Sequence, residues 1–135
     1  MTTLVFVALD WADAAALRSG ADLGPRTGCA PTDELARRVG SDADAEEVEY
    51  AALHHAGEHA AGTSPRRLVL AADVEPAQLV EKGDGWGGVT VNGLRWSQVS
   101  ALFVDEPVAA EAAAGADDRD LLWFAPQELD QLRPP

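Results

Sequence analysis

The sequence has a single cysteine, Cys29, among its 135 residues. One cysteine excludes an intrachain disulfide and a metal cage built from several thiolates. The sequence also lacks a Gly-x-Ser-x-Gly elbow, a kinase signature and an internal repeat, so the corresponding enzyme classes and solenoid folds are not indicated. Cys29 could act as a nucleophile only beside a base, and the sequence alone identifies none.

Positive charge is scarce. Lys82 is the one lysine, and 10 basic residues stand against 23 acidic ones, which gives a formal net charge of −13. A chain this negative repels phosphate backbones and anionic lipid headgroups, so we exclude nucleic acid and membrane surfaces as partners. The scarcity of lysine beside 26 alanines indicates a high-GC bacterial genome, with a salt-adapted acidic proteome as the alternative.

Long apolar runs are absent, since no stretch approaches the roughly 20 residues that span a bilayer. No basic residue precedes the first apolar run, and Asp10 and Asp13 interrupt any signal-peptide core there. We therefore expect a soluble, cytoplasmic protein. Its length suits a single domain, residues 1–135, with a hydrophobic core of ordinary size.

Four apolar runs have the composition of buried strands. We expect strands at residues 4–9, 67–72, 101–104 and 121–125, and helices at 11–18, 33–39, 42–61 and 107–114. Asn92-Gly93 predicts a hairpin between residues 89–91 and 94–96. This order predicts an α+β fold, a ferredoxin-like βαββαβ sandwich with a long helical first crossover and an inserted β-hairpin. The alternative is a three-layer α/β fold around a doubly wound parallel sheet, which would need one more helix.

The predicted strands are apolar on both faces, whereas a ferredoxin-like sheet normally exposes one face to water. Either the helices of residues 32–61 or a second subunit must cover the second face. We expect a mixture of the two, and hence a homodimer.

Acidic residues follow two of these strands. The predicted topology places the first and third strands side by side and parallel, so Asp10 and Asp105 would meet at one sheet edge. With Glu106 as a third ligand or base, they are the candidate catalytic residues of a metal-assisted hydrolase. Under the alternative interpretation, Asp10 and Asp105 cap helices and arginines neutralise them. The strands that start at this edge add Arg66, Arg67, Asp118 and Asp120.

Three histidines lie on the predicted helix of residues 42–61. His55 and His59 have the i, i+4 spacing of a helical metal pair, but a third ligand is not evident. His54 with Glu47 and Glu58 would instead form a surface ion-pair ladder, so a solvated or packing role is the alternative. We expect no cofactor.

Residues 83–88 form a glycine-rich loop around Trp86. A phosphate cradle is disfavoured, because no Lys-Ser or Lys-Thr follows the loop and the next element is a strand. Trp86 is expected to be exposed and to serve as a contact or lid residue. With Arg66 and Arg67 it completes the candidate ligand-binding set.

Several segments together resemble a family of small uncharacterised proteins, a domain of unknown function from high-GC bacteria. These segments are residues 47–53, 66–74, 96–99, 103–106 and 121–129. The resemblance implies no activity. It implies that the acidic strand ends and the Trp-Phe-Ala-Pro-Gln-Glu segment at residues 123–128 belong to the family pattern.

The leading hypothesis is a non-enzymatic domain that binds a protein partner or a small ligand, because neither a nucleophile nor a metal set is evident. The first alternative is the metal-assisted hydrolase built on Asp10 and Asp105. A weaker alternative, based on charge alone, is an acidic decoy that occupies the surface of a basic protein.

Overall fold

A seven-stranded sheet with helices on both faces is the framework of the protein. The computed structural model describes residues 2–40, 42–60, 66–105 and 121–132. The strands are β1 (Thr3–Ala8), β2 (Arg26–Cys29), β3 (Leu68–Val74), β4 (Leu79–Glu81), β5 (Gly88–Val91), β6 (Val99–Asp105) and β7 (Leu121–Phe124). The helices are α1 (Trp11–Arg18), α2 (Asp33–Val39), α3 (Ala45–Ala60) and α4 (Leu129–Leu132), with 3₁₀ turns at Pro76–Gln78, Trp96–Gln98 and Pro126–Glu128.

The first two helices begin at residues whose side chains cap them. The Asp10 carboxylate accepts a hydrogen bond from the backbone N–H of Asp13, and the Thr32 hydroxyl accepts one from that of Leu35. Each side chain satisfies an N–H group that has no partner within the helix. The predicted helix at residues 107–114 lies outside the described residues.

The strand order is β4-β5-β2-β1-β3-β6-β7, and all six pairings are antiparallel. The expected side-by-side pairing of β1 with β6 is wrong, because β3 lies between them and pairs with both. The ferredoxin-like order is therefore not confirmed, and neither is a doubly wound parallel sheet. The structure is a mixed helix and strand fold around one open antiparallel sheet.

The second edge of β1 is filled by β2, a strand that the sequence analysis did not identify. Its residues Arg26 and Thr27 are polar, and Gly28 disfavours a strand, so no apolar run marks it. The Gly28 position allows close packing, since a Cβ there would lie 2.9 Å from the carbonyl oxygen of Phe6.

The expected hairpin also pairs differently. Strand β5 pairs with β4, not with residues 94–96, and the intervening loop is residues 82–87. The side chain of Gln78 explains this arrangement, because its amide N–H groups donate to the carbonyl oxygens of Asn92 and Gly93 at 3.0 Å. The chain then enters a 3₁₀ turn at Trp96 instead of a strand.

Two apolar clusters cover the two sheet faces. Val5 and Val7 of β1 face a cluster that includes α1 and α4, whereas Phe6 faces a cluster that includes α2 and α3. On α3 the buried positions are Val48, Ala52, Ala56, Gly57 and Ala60. Segments of the chain itself thus cover both faces, and the homodimer stays a prediction.

Candidate functional site

The carboxyl ends of β1 and β6 lie at the same edge of the sheet, because both strands run antiparallel to the β3 between them. Arg67, the residue before β3, therefore lies between the ends of β1 and β6. The Asp10 carboxylate caps α1, with Oδ1 2.7 Å from the backbone nitrogen of Asp13. This matches the structural alternative for Asp10.

Asp105 and Arg67 form a buried ion pair. Asp105 is 0% exposed and Arg67 is 4% exposed. The guanidinium of Arg67 donates from Nη2 to Oδ1 at 2.8 Å and from Nε to Oδ2 at 3.0 Å, and the backbone nitrogen of Arg67 donates to Oδ2 at 2.8 Å. Burial of two charges is tolerated only when their hydrogen bonds are satisfied in this way.

Helix α3 passes close over this pair. Gly57 makes the approach possible, since a Cβ at that position would lie 3.4 Å from Nη1 of Arg67 and 3.2 Å from Leu121. Arg66 ties the same edge to other elements, with Nε donating to the carbonyl oxygen of Asp105 at 3.0 Å. It also donates to the carbonyl oxygen of Leu132 in α4, and its own carbonyl accepts the indole N–H of Trp11 at 3.0 Å.

These contacts give Asp10, Asp105, Arg66 and Arg67 structural partners. Glu106, Asp118 and Asp120 lie outside the described residues. The carboxylate of Asp105 is already coordinated by a guanidinium and a backbone N–H group, so this geometry does not favour a cation there. The metal-assisted hydrolase stays a prediction.

The three histidines of α3 have separate surroundings. Nε2 of His54 lies 3.0 Å from a Glu58 carboxylate oxygen, and Nδ1 of His55 lies 3.6 Å from the other. Nδ1 of His59 lies 4.0 Å from the sulfur of Cys29. Over residues 2–40, 42–60, 66–105 and 121–132, no group of three potential metal ligands occurs.

The imidazole of His59 is a base close to the Cys29 thiol. The sequence alone does not reveal this base, because Cys29 on β2 and His59 on α3 are distant in sequence. Cys29 is 1% exposed. Burial raises the pKa of its thiol to about 11, and the nearby Asp84 carboxylate adds to the shift. The thiolate is the reactive form, so this environment keeps Cys29 in its unreactive state at neutral pH.

The Trp86 loop, residues 82–87, is fixed by two helices. The backbone N–H of Gly85 donates to the Glu34 carboxylate at 3.0 Å, and Nε of Arg38 donates to the Gly85 carbonyl at 3.0 Å. The Arg38 guanidinium lies 3.8 Å from the centre of the Trp86 ring, a cation–π distance. The ring of His55 packs against the indole edge-on at 4.8 Å.

A model for DUF6912, described as a family of unknown function, matches residues 3–132. This chain belongs to DUF6912. No curated protein and no solved structure matches it. The expected likeness to a family of unknown function is confirmed, and the family description brings no activity with it. None of the described helices of this DUF6912 chain is long and apolar enough to cross a membrane.

In the Trp86 loop of the DUF6912 chain, an aspartate side chain occupies the backbone N–H groups that could otherwise bind an anion. The Asp84 carboxylate accepts from the backbone N–H groups of Trp86 at 2.8 Å and Gly88 at 3.2 Å. The hydrogen bond from Trp86 is the main reason that the pKa of Asp84 lies below its ordinary value. Because Asp84 occupies these amides, the loop is not a phosphate cradle.

Trp86 is 45% exposed, as the sequence analysis expected of a contact residue. Arg66 and Arg67 instead contact Asp105 at the sheet edge. The three candidate ligand-binding residues, Arg66, Arg67 and Trp86, therefore do not form one site. Sequence analysis missed Glu34 and Arg38, since only the docking of α2 on the loop gives them a role. In sequence they read as ordinary charged positions of a helix.

Proposed function

We propose that this chain is a non-enzymatic binding domain whose partner contacts the Trp86 surface. This surface consists of Glu34, Arg37, Arg38, Gly85 and Trp86, and its first four residues line an open hollow of about 380 Å³. The observation that carries the proposal is the half-exposed indole of Trp86, held between the Arg38 guanidinium and the ring of His55.

Rigidity favours a contact role. The loop that presents Trp86 is held by hydrogen bonds to Glu34, Arg38 and Asp84, so little conformational entropy is left to lose when a partner binds. Tryptophan and arginine are the side chains that most often dominate the binding energy of protein interfaces.

Charge favours this surface over the rest of the molecule. Two copies of a chain with a net charge of −13 repel each other wherever their acidic surfaces meet. The Trp86 surface carries two arginines and one glutamate, so in a two-fold dimer the glutamate of each copy can pair with an arginine of the other. We therefore propose a homodimer through this surface, and a cytoplasmic location, where a free thiol such as Cys29 stays reduced.

Sedimentation velocity at micromolar concentration tests the dimer. The unchanged chain should sediment as a dimer. Trp86→Ala removes one hot spot from each of the two copies, so it should weaken the association by about thirtyfold twice over, which is about a thousandfold. Trp123→Ala is the matched control, because Trp123 is also exposed, at 61%, but lies on β7, away from this surface. A chain that stays monomeric at about 100 µM would contradict the proposal, and so would an equal effect of Trp123→Ala.

A further inference from the structure

A second concave region lies on the other side of the sheet, where the end of α1 meets the turn before the 3₁₀ helix at Trp96. This region, the α1 cleft, has a volume of about 520 Å³. Its apolar part is formed by Leu17, Leu94 and the half-buried Trp96, and its polar part by Arg18, Asp22 and Arg95. This volume lies in the range of sites for small organic molecules.

The charged side chains of the cleft differ in whether they already have an ion-pair or hydrogen-bond partner. Arg18 is paired with Asp130 at 2.7 Å, and one oxygen of Asp22 accepts from the backbone N–H of Gly24 at 2.9 Å. Arg95 is exposed, and its guanidinium makes no ion pair within the described part of the chain. Arg95 is therefore the cation of the cleft that is ready to receive an anionic group.

The wall that carries Arg95 and Trp96 is held in place by a pair of glutamines. The amide of Gln98 donates to Oε1 of Gln78 at 2.8 Å, and Nε2 of Gln78 donates back to Oε1 of Gln98 at 3.3 Å. The backbone N–H of Arg95 donates to the same Gln98 oxygen at 3.1 Å. A reciprocal amide pair that fixes one turn is the kind of support that preorganises a binding residue.

Two glycines keep the mouth of the cleft open. Gly20 and Gly93 have left-handed φ angles of 97° and 64°. A Cβ at Gly20 would meet no atom within 4 Å, and one at Gly93 would meet only the Gln78 amide, at 3.9 Å. Space over both turns is thus free for a ligand.

The geometry points to a site for a small planar aromatic carboxylate, with its ring against Trp96 above Leu17 and Leu94 and its carboxylate on Arg95. A guanidinium matches a carboxylate in two parallel hydrogen bonds. Arg18 is already paired with Asp130, so Arg95 is the cation of the cleft that can receive an anion, and one added negative charge suits it better than the two of a phosphate. This site is independent of the Trp86 surface, which lies against α2 and α3.

Titration of the ¹⁵N-labelled full chain with 2-naphthoate tests the site, with neutral 2-naphthamide as the second probe. We expect 2-naphthoate to shift the amide signals of Gly20, Gly93 and Leu94 and the indole signal of Trp96. Arg95→Gln should weaken 2-naphthoate about tenfold, the effect of one charge-assisted bond, and leave 2-naphthamide within about twofold. Lys82→Gln, at an exposed cation outside both the cleft and the Trp86 surface, should change neither affinity.

Three results would overturn the proposal. One is a set of shifted signals scattered outside the cleft, and another is equal affinity for 2-naphthoate and 2-naphthamide. The third is an Arg95→Gln variant that binds 2-naphthoate as tightly as the unchanged chain. Because Arg95 is exposed, this variant should fold, and its spectrum shows directly whether it does. Trp86→Ala should leave the titration unchanged, so failure of the dimer and failure of this site are distinguishable.

Discussion

Replacing Asp105 by asparagine tests whether the buried ion pair stabilises the fold. The substitution keeps the shape of the side chain but removes its charge, and it turns one acceptor into an N–H₂ donor. That donor would face the N–H groups of Arg67, which now lie 2.8–3.1 Å from the carboxylate oxygens. The Arg67 guanidinium, 4% exposed, would then be a buried charge without its counter-charge.

Removing one partner of a buried pair costs about 3–5 kcal/mol, because the other charge stays desolvated. Domains of ordinary size have a free energy of unfolding of about 5–15 kcal/mol, so Asp105→Asn should remove a large share of it. For a chain of this length the loss corresponds to a fall in Tm of about 10–20 °C. Urea unfolding followed by circular dichroism gives the free energy, and a thermal scan gives the Tm.

Asp10→Asn is the matched control. It removes the same charge from the end of β1, at the same edge of the sheet, but asparagine caps a helix about as well as aspartate, so the expected cost is below about 0.5 kcal/mol. The double variant Arg67→Met with Asp105→Leu should recover part of the stability lost in Asp105→Asn, because both charges of the pair are removed while the backbone N–H of Arg67 still loses its acceptor. If Asp105→Asn costs no more than Asp10→Asn, the assignment of Asp105 to a stabilising buried pair is refuted.

Further predictions concern Cys29, the Trp86 loop and a helix cap. With its pKa raised from 9.0 to about 11, Cys29 should react with a disulfide reagent at pH 8 about a hundredfold more slowly in the folded than in the urea-unfolded chain. The thiol binds its proton more tightly in the folded chain than in the unfolded chain, so its contribution to the free energy of unfolding is lost as pH rises from 9.0 to about 11. Cys29→Ala should therefore reduce the dependence of the free energy of unfolding on pH in this range, as measured by urea titration. Gly87→Ala should cost at least about 2 kcal/mol in urea unfolding, because its left-handed φ of 82° is disfavoured for alanine and its Cβ would collide with the carbonyl oxygen of Ala30. Gly83→Ala, with φ 68° and no atom within 4 Å of the added Cβ, should cost about 1 kcal/mol, and equal losses would contradict the collision. Thr32→Ala should lower the free energy of unfolding by about 1 kcal/mol, whereas Thr32→Ser should leave it almost unchanged. A loss for Thr32→Ser as large as that for Thr32→Ala would argue against the cap.

Local signals were sufficient for α1, α2 and most of α3, whereas the predicted helix at residues 107–114 lies outside the described residues. Asp10 and Thr32 are caps because a short acceptor side chain before an alanine-rich or amphipathic run satisfies the first free N–H groups, whatever the rest of the chain does. The buried strands β1, β3 and β6 were evident for a similar reason, since their apolar runs suit only a core. Features that depend on the nearest few residues were thus predictable.

The strand order was not predictable in the same way. Pairing β1 with β2 and β3 depends on contacts between distant residues, and β2 and β4 are short and carry polar residues. The Asn92-Gly93 signal was misleading, because the side chain of Gln78 occupies both carbonyl groups of that dipeptide. A side chain from a distant turn overrode a local preference.

The candidate site shows the same division. Sequence analysis placed Asp10, Asp105, Arg66 and Arg67 at one edge, and the structure has Asp105 and Arg67 in contact there. The reason differs from the expected one, since β3 brings Arg67 between the two acidic strand ends. The Trp86 loop was expected to be exposed, but its anchors Glu34 and Arg38 became evident only when α2 was seen to dock on it.

In this chain, arginines whose charge is paired in the interior stabilise the fold, whereas arginines at the surface without such a pair are candidates for binding. Arg67 is buried and holds the Asp105 carboxylate through its guanidinium and its backbone N–H, which gives it a role in stability. Arg38 is fixed by Gly85 and Trp86 at the surface, where its position shapes an exposed aromatic side chain. Arg95 belongs to a turn that two glutamines hold in place, although its own guanidinium makes no ion pair in the described residues. Binding is therefore to be sought first at charged side chains that extend from a well-held turn and have no ion-pair partner among the described residues, such as Arg95.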